Sequence, residues 1–168
     1  DIIPAGETGL DELHGRTIAI DAYNALYQFL SSIRQPDGTP LVDNQGRVTS
    51  HLSGLFYRTV KLIENGIRPV YVFDGKPHPL KARTIQARRE RKDKARREWE
   101  QAIAEGDFEK ARTKAQATSH LTPEMVEQSK QLLDALGVAH VTSDSEGEKT
   151  ASALAMAGKV WCAASQDY

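Results

Sequence analysis

Apolar positions along the chain fall into short blocks separated by stripes of helical period. RTIAID (residues 16–21) is a compact apolar run ending on an acid, and Ala25, Leu26, Phe29, Leu30 and Ile33 follow at spacings of three and four. This pattern predicts a buried strand feeding an amphipathic helix. Residues 36–46 (PDGTPLVDNQG) are rich in Pro, Gly, Asp and Asn and predict a turn-laden connection. Leu52, Leu55, Phe56, Leu62 and Ile63 then recur so that one helical face is apolar, and Gly66 suits the left-handed position that ends a helix. PVYVFDGKP (69–77) predicts a second strand from Val70 to Phe73, closed by Asp74 and Gly75.

Residues 80–118 change character, with few bulky apolar side chains, abundant Arg, Lys, Glu and Ala, and no proline. High helical propensity with a thin apolar face predicts one or two helices projecting from the body, broken near Gly106 and Asp107. Thr122-Pro123-Glu124 offers an N-cap with proline at the first helical position, and that helix is expected to reach Leu136 before Gly137. VAHVT (138–142) predicts a third strand, SEGEKTASALAMA (145–157) a helix and KVWCAAS (159–165) a fourth strand. Strands alternating with helices predict an α/β fold: a mainly parallel central sheet flanked by helices, with a basic helical insert between the second and third strands.

A chain of 168 residues with 39% hydrophobic content can bury one substantial core. No internal repeat, membrane-length apolar run or secretory leader is visible, so a soluble intracellular protein is expected, with no membrane partner. The single cysteine, Cys162, is expected to be a small buried residue. Charge is lopsided: residues 81–97 carry nine Lys/Arg against two Asp/Glu, although the whole chain stands at −1. Such a stretch suggests a polyanionic partner, and the compensating acids could collect metal ions or solvate a surface.

Ligands of open α/β sheets bind at the carboxyl ends of the strands. Asp21 ends the first strand and Asp74 the second, Glu146 and Glu148 follow the third, and Asp167 follows the fourth. Singly, each acid has a structural explanation as a helix cap, a turn residue or a complement to a helix dipole. Together they crowd one rim, where carboxylates repel one another unless cations neutralise them. An oxygen-only ligand set suits Mg²⁺ or Mn²⁺ better than Zn²⁺, and two such ions about 4 Å apart are a standard device for phosphodiester hydrolysis.

The blocks IAIDAYNALYQFL, TSHLSGLFYRTVKLIENGIRPVYVFDGKP, SEGE and ASQDY, in this order, resemble the flap endonuclease family, particularly its archaeal members. The resemblance implies a PIN-like 5′ nuclease core with a helical arch at about 76–122, of which residues 1–168 form the N-terminal part. It implies cleavage of branched or flap DNA in replication and repair, with Asp21, Asp74, Glu146, Glu148 and Asp167 as ligands of two Mg²⁺ ions, Mn²⁺ being a possible substitute. Lys81 and Arg88 match a basic pair that grips the scissile phosphate. Tyr27 matches an aromatic on which a base stacks, Arg34 and Arg58 match arginines that contact DNA, and Glu146 is expected to touch DNA as well. A sliding clamp is the partner implied for a C-terminal tail that these residues do not include, and the compartment implied is cytoplasmic or nucleoid in an archaeon and nuclear in a eukaryote.

Two features depart from the family pattern. Ser143-Asp144 stands where Ala-Pro is usual before SEGE, placing one more negative charge beside the acids. The family's last block also continues beyond Tyr168 with further acidic ligands, so these residues are expected to hold an incomplete metal site that binds DNA weakly and cleaves poorly. The competing readings are a DNA-junction-binding module without catalytic competence and a related nuclease acting on RNA.

Overall fold

The computed structural model describes residues 6–75, 82–107, 109, 110, 113, 114, 118–144 and 146–165; within the long helix at 82–104, side chains are described at Glu90 and from Asp93 onward. Lys81 and Asp167 lie outside the described residues, as does the side chain of Arg88.

A short 3-10 turn, Asp11–Leu13, precedes strand β1 (Thr17–Asp21) and helix α1 (Ala22–Ser32). Helix α2 (Ser50–Glu64) leads into β2 (Arg68–Phe73), and the long helix α3 (Ala82–Ala104) follows. Helix α4 (Pro123–Ala135), strand β3 (His140–Thr142), helix α5 (Gly147–Met156) and strand β4 (Cys162–Ala164) complete the order. The sheet runs β3-β2-β1-β4 with every pairing parallel, and Asp21 stands in register with Val72.

Strand alternation divides the core between the two sheet faces. Tyr71 and Phe73 point to the face covered by Leu26, Phe29, Leu30, Leu55, Val126 and Leu133, from α1, α2 and α4. Val72 and Ala19 point to the opposite face, against Ala151 of α5 and Val160. Each fully buried large side chain contributes roughly 1.5–3 kcal/mol. The Tyr71 hydroxyl is satisfied at 2.9 Å by Thr59 Oγ1, as a buried phenol requires.

Several boundaries follow the sequence closely. Gly66 and Gly137 take φ of 71° and 67° just beyond α2 and α4, and the Thr122 hydroxyl accepts the Met125 N–H as an N-cap. The outer strands are shorter than expected, three residues each, and among the described residues each pairs with one neighbour. Cys162 is half-buried rather than buried, packed on the cluster of Ile18, Leu62 and Ile67.

The face assigned to α2 needs correction. Phe56 and Ile63 are 39% and 47% exposed, while His51, Thr59 and Ser50 are buried with Leu55 and Leu62. Those polar groups enter the core because each has a partner: His51 Nε2 with Gln128 Oε1, Thr59 with Tyr71, and Ser50 Oγ with Ile33 O and Leu41 N–H.

Helix α3 also differs from a simple projection. Ala95 and Ala102 are buried, and Trp99 between them lines a cleft with Leu30, Pro40 and Val48. Positions 95, 99 and 102 form a narrow stripe at helical spacing that leans the distal half of α3 on the body. The expected break holds: the helix ends before Gly106, and Lys114 returns to Glu98 at 2.7 Å.

Candidate metal and nucleic-acid site

Three of the predicted acids share one rim at the carboxyl ends of the strands. Asp21 ends β1 and caps α1, accepting the Asn24 N–H at 2.8 Å while only 7% exposed. Its carboxyl is held above the ordinary value: burial is the main cause, the Asn24 amide works against it, and Asp74 and Glu148 add repulsion. That coupling marks the three side chains as electrostatic neighbours. Asp21 and Glu148 also line a single cleft of about 380 Å³ with Ser152, Ala164 and Ser165.

Asp74 follows β2, and its Oδ1 accepts the Gly147 N–H, the first amide of α5, at 2.5 Å. A helix N-terminus supplies unsatisfied N–H groups and a partial positive charge, so it holds a carboxylate there. A Cβ on Gly147 would lie 2.9 Å from that same Oδ1, so glycine is what admits the approach. Gly75 serves the neighbouring contact, since a Cβ there would stand 2.1 Å from the Ser143 carbonyl oxygen.

Glu148 lies in the first turn of α5 and accepts a hydrogen bond from Ser165 Oγ at 2.7 Å. Glu146 is the N-cap residue of α5, and its carbonyl accepts the Ser143 hydroxyl at 3.1 Å. Ser143 also meets Thr150 Oγ1 at 2.7 Å, and its N–H donates to Phe73 O at 2.8 Å. The departure from Ala-Pro thus gives the loop a hydroxyl that braces it, while Asp144 is exposed.

The donor set is oxygen only, which suits a hard divalent cation. Among the described residues no group of three or more acids, histidines or cysteines is close enough to hold a metal ion, and no Lys or Arg lies within ion-pair distance of Asp21, Asp74 or Glu148. Neutral dipoles hold these carboxylates, so their charge stays available to a cation.

The predicted DNA-contacting residues divide. Tyr27 is 37% exposed on α1, so it is not a core aromatic. Tyr23, one turn earlier, has its phenol pushed up by burial first and then by Asp74 and Tyr27, so it is the electrostatic neighbour of both. Tyr23 escaped the sequence reading, although its spacing of four from Tyr27 was a usable signal. Arg58 is exposed and borders a trough of about 300 Å³ with Asp21, Gln28 and Ser165. Arg34 is committed elsewhere: it donates to Leu30 O at 3.0 Å, Gly38 O at 2.8 Å and Ser119 Oγ at 3.0 Å. Those bonds tie α1 to the loop after it and to the segment before α4.

A sequence profile described as the XPG N-terminal domain matches residues 4–95, more than half of the chain. The chain belongs to the XPG N-terminal domain family. Within that family it is 58% identical over 159 residues to flap endonuclease 1 of Caldivirga maquilingensis, covering 95% of this chain and 45% of the relative. Identity to flap endonuclease 1 of Pyrococcus abyssi is 52% over 168 residues, covering 100% of this chain and 49% of the relative. Thus the chain spans about half the length of the curated relatives it matches.

Solved structures agree on the fold. The flap endonuclease-1 from Methanococcus jannaschii superposes with a TM-score of 0.72 at 48% identity, covering 99% of this chain and 53% of that one. The catalytic core of Rad2 in complex with DNA substrate superposes at 0.63 with 26% identity, covering 95% and 40%. The parallel sheet and flanking helices of this XPG N-terminal domain chain are therefore those of the flap endonuclease and Rad2 nucleases. No helix among the described residues is long and apolar enough to cross a membrane.

Proposed function

We propose that residues 1–168 are the N-terminal part of a structure-specific 5′ nuclease that hydrolyses DNA phosphodiester bonds at 5′ flaps. The observation that carries this reading is the placement of Asp21 and Asp74 at the ends of β1 and β2 with Glu148 in the first turn of α5, Asp21 and Glu148 lining one cleft and Asp74 bonded to the Gly147 amide beside it. Two Mg²⁺ ions, when bound, would activate water and stabilise charge on the attacking and leaving oxygens. Asp21, Asp74, Glu146, Glu148 and Asp167 would hold them, and Lys81 and Arg88 would grip the scissile phosphate. Tyr27 would stack on a base near the cut, and Arg58 would meet the phosphate backbone.

The segment at about 76–122 acts as an arch over the single-stranded flap, selecting shape and a free 5′ end rather than base sequence. Arg34 supports this surface from behind, consistent with its three bonds to the protein itself. A sliding clamp, bound through a C-terminal tail, would bring the enzyme to replication and repair.

The test uses a labelled 5′-flap duplex with Mg²⁺, on the 168-residue chain and on a chimera that joins it to the remainder of the Pyrococcus abyssi relative. Cleavage near the junction is expected from the chimera and little from the chain alone. Asp74→Ala in the chimera abolishes turnover and leaves most flap binding. Metal-independent binding with no product in either protein would refute the nuclease reading and leave a DNA-junction-binding module.

A further inference from the structure

We propose that Ser165 is a positioning residue for the metal rim, holding Glu148 in its ligand orientation; this rests on the metal reading above. Ser165 directly follows β4, and its hydroxyl donates to Glu148 Oε1 at 2.7 Å across to the first turn of α5. A hydroxyl bonded to a carboxylate is a charge-assisted pair, among the stronger hydrogen bonds. It engages one oxygen of Glu148 and leaves the other for a cation.

Chemistry favours serine over the other available donors. Lys or Arg at this position would orient Glu148 equally well, but its positive charge would compete with a divalent ion for the same oxygens. The neutral hydroxyl fixes direction without discharging the ligand, as partners behind metal ligands do in metalloproteins. An unrestrained glutamate would surrender side-chain freedom on binding metal, and the serine removes part of that freedom beforehand. Ser165 also lines both the cleft with Asp21 and Glu148 and the trough with Arg58. The chain reaches Asp167 two residues later. One hydroxyl therefore ties together two acid-bearing segments, the start of α5 and the end of β4.

The experiment titrates Mn²⁺ into the chimera that joins these residues to the remainder of the Pyrococcus abyssi relative, without DNA, and follows free ion by electron paramagnetic resonance. Ser165→Ala is expected to weaken Mn²⁺ binding about tenfold, the lower end for loss of such a partner, with a fall of only a few degrees in melting temperature in EDTA, so that the chain stays folded at the titration temperature. Ser165→Thr, which keeps the hydroxyl, restores the affinity. Glu148→Gln serves as the reference and is expected to weaken binding at least as much. Wild-type affinity in Ser165→Ala alongside a loss in Glu148→Gln overturns the positioning role alone. Equal losses in the Ala and Thr variants also overturn it, since the hydroxyl would not be the agent. Unchanged binding in Glu148→Gln overturns the metal rim itself and the positioning role with it.

Discussion

Gly75→Ala is the substitution that most directly tests how the rim is assembled. Its new Cβ would stand 2.1 Å from the Ser143 carbonyl oxygen, 2.9 Å from the Asp144 carbonyl carbon and 3.0 Å from the Ser143 carbonyl carbon. A carbon–oxygen contact settles near 3.3 Å, so the two backbones must separate by about 1 Å. Neither side is a flexible side-chain tip that could swing away. The separation acts on two bonds that close the rim, the Ser143 N–H to Phe73 O at 2.8 Å and the Gly147 N–H to Asp74 Oδ1.

Overpacking of this kind costs about 1–3 kcal/mol, and losing a hydrogen bond to a charged acceptor about 1.5–3 kcal/mol. The two overlap, so roughly 2–5 kcal/mol is expected, or a fall of about 5–20 °C in melting temperature for a domain of this size. Calorimetry in EDTA measures the fold, and Mn²⁺ titration measures the site. Gly46→Ala is the comparator: nothing lies within 4 Å of its Cβ and only a φ of +78° resists it. That variant should lose about 1–2 kcal/mol and leave metal affinity intact. Should Gly75→Ala melt within about 2 °C of the wild type and bind Mn²⁺ normally, the close approach of the two acid-bearing loops is not what builds the site.

Three further outcomes are expected. Asp21→Asn keeps an N-cap while removing a charge that burial and its acidic neighbours penalise. A raised carboxyl contributes stability below its unfolded value of 3.8 and loses it as pH rises through the folded value. In EDTA the variant should therefore melt above wild type at pH 7, by a margin that closes on acidification, and bind divalent ions poorly; a lower melting point at pH 7 would contradict this. His51 is held below the unfolded histidine's ordinary 6.5 by burial, with Gln128 opposing, so its contribution is intact above 6.5 and lost as pH falls through the folded value. Urea melts across that window should show an acid limb that His51→Gln flattens, and an unchanged limb would place its origin elsewhere. Trp99 Nε1 is buried without a partner among the described residues, so Trp99→Phe should match or exceed wild-type stability in urea, whereas Trp99→Ala should lose about 3 kcal/mol; equal losses would show that the ring does not anchor α3.

Hydrophobic pattern reads best where apolar side chains alone decide burial. Strands β1 and β2 and helix α1 follow it closely, because Ile18, Ala19, Leu26, Phe29, Tyr71 and Phe73 enter the core without needing partners beyond a phenol's. It misplaced the face of α2, where His51, Thr59 and Ser50 are buried through bonds to residues as distant as Gln128. No periodicity records such a partner. The lean of α3 escaped for a related reason: two alanines and one tryptophan carry it, a stripe too narrow to stand out among so many charges. At the site, the acids were legible because strand ends fix where they must lie. Their restraints were not, since the Gly147 amide and the Ser165 hydroxyl act across tertiary contacts.

Those restraints share one property that links fold to chemistry. Asp21 is held by the Asn24 amide, Asp74 by the Gly147 amide and Glu148 by the Ser165 hydroxyl, each a neutral donor. Cations would have stabilised the metal-free chain more, and they are plentiful in the sequence, yet the nine Lys/Arg of residues 81–97 are gathered in the arch segment. Among the described residues these carboxylates are fixed by dipoles rather than counter-ions, so their repulsion stays uncompensated and adds to burial, the main cause of the raised Asp21 carboxyl. That repulsion opposes folding and, on the proposed metal reading, would favour a divalent cation, so the arrangement that weakens the metal-free rim would strengthen its hold on metal. On the proposed nuclease reading, the basic segment at residues 81–97 would meet a polyanion while the acids of the rim keep their charge for metal, the division of charge that hydrolysis of a phosphodiester at a metal centre requires.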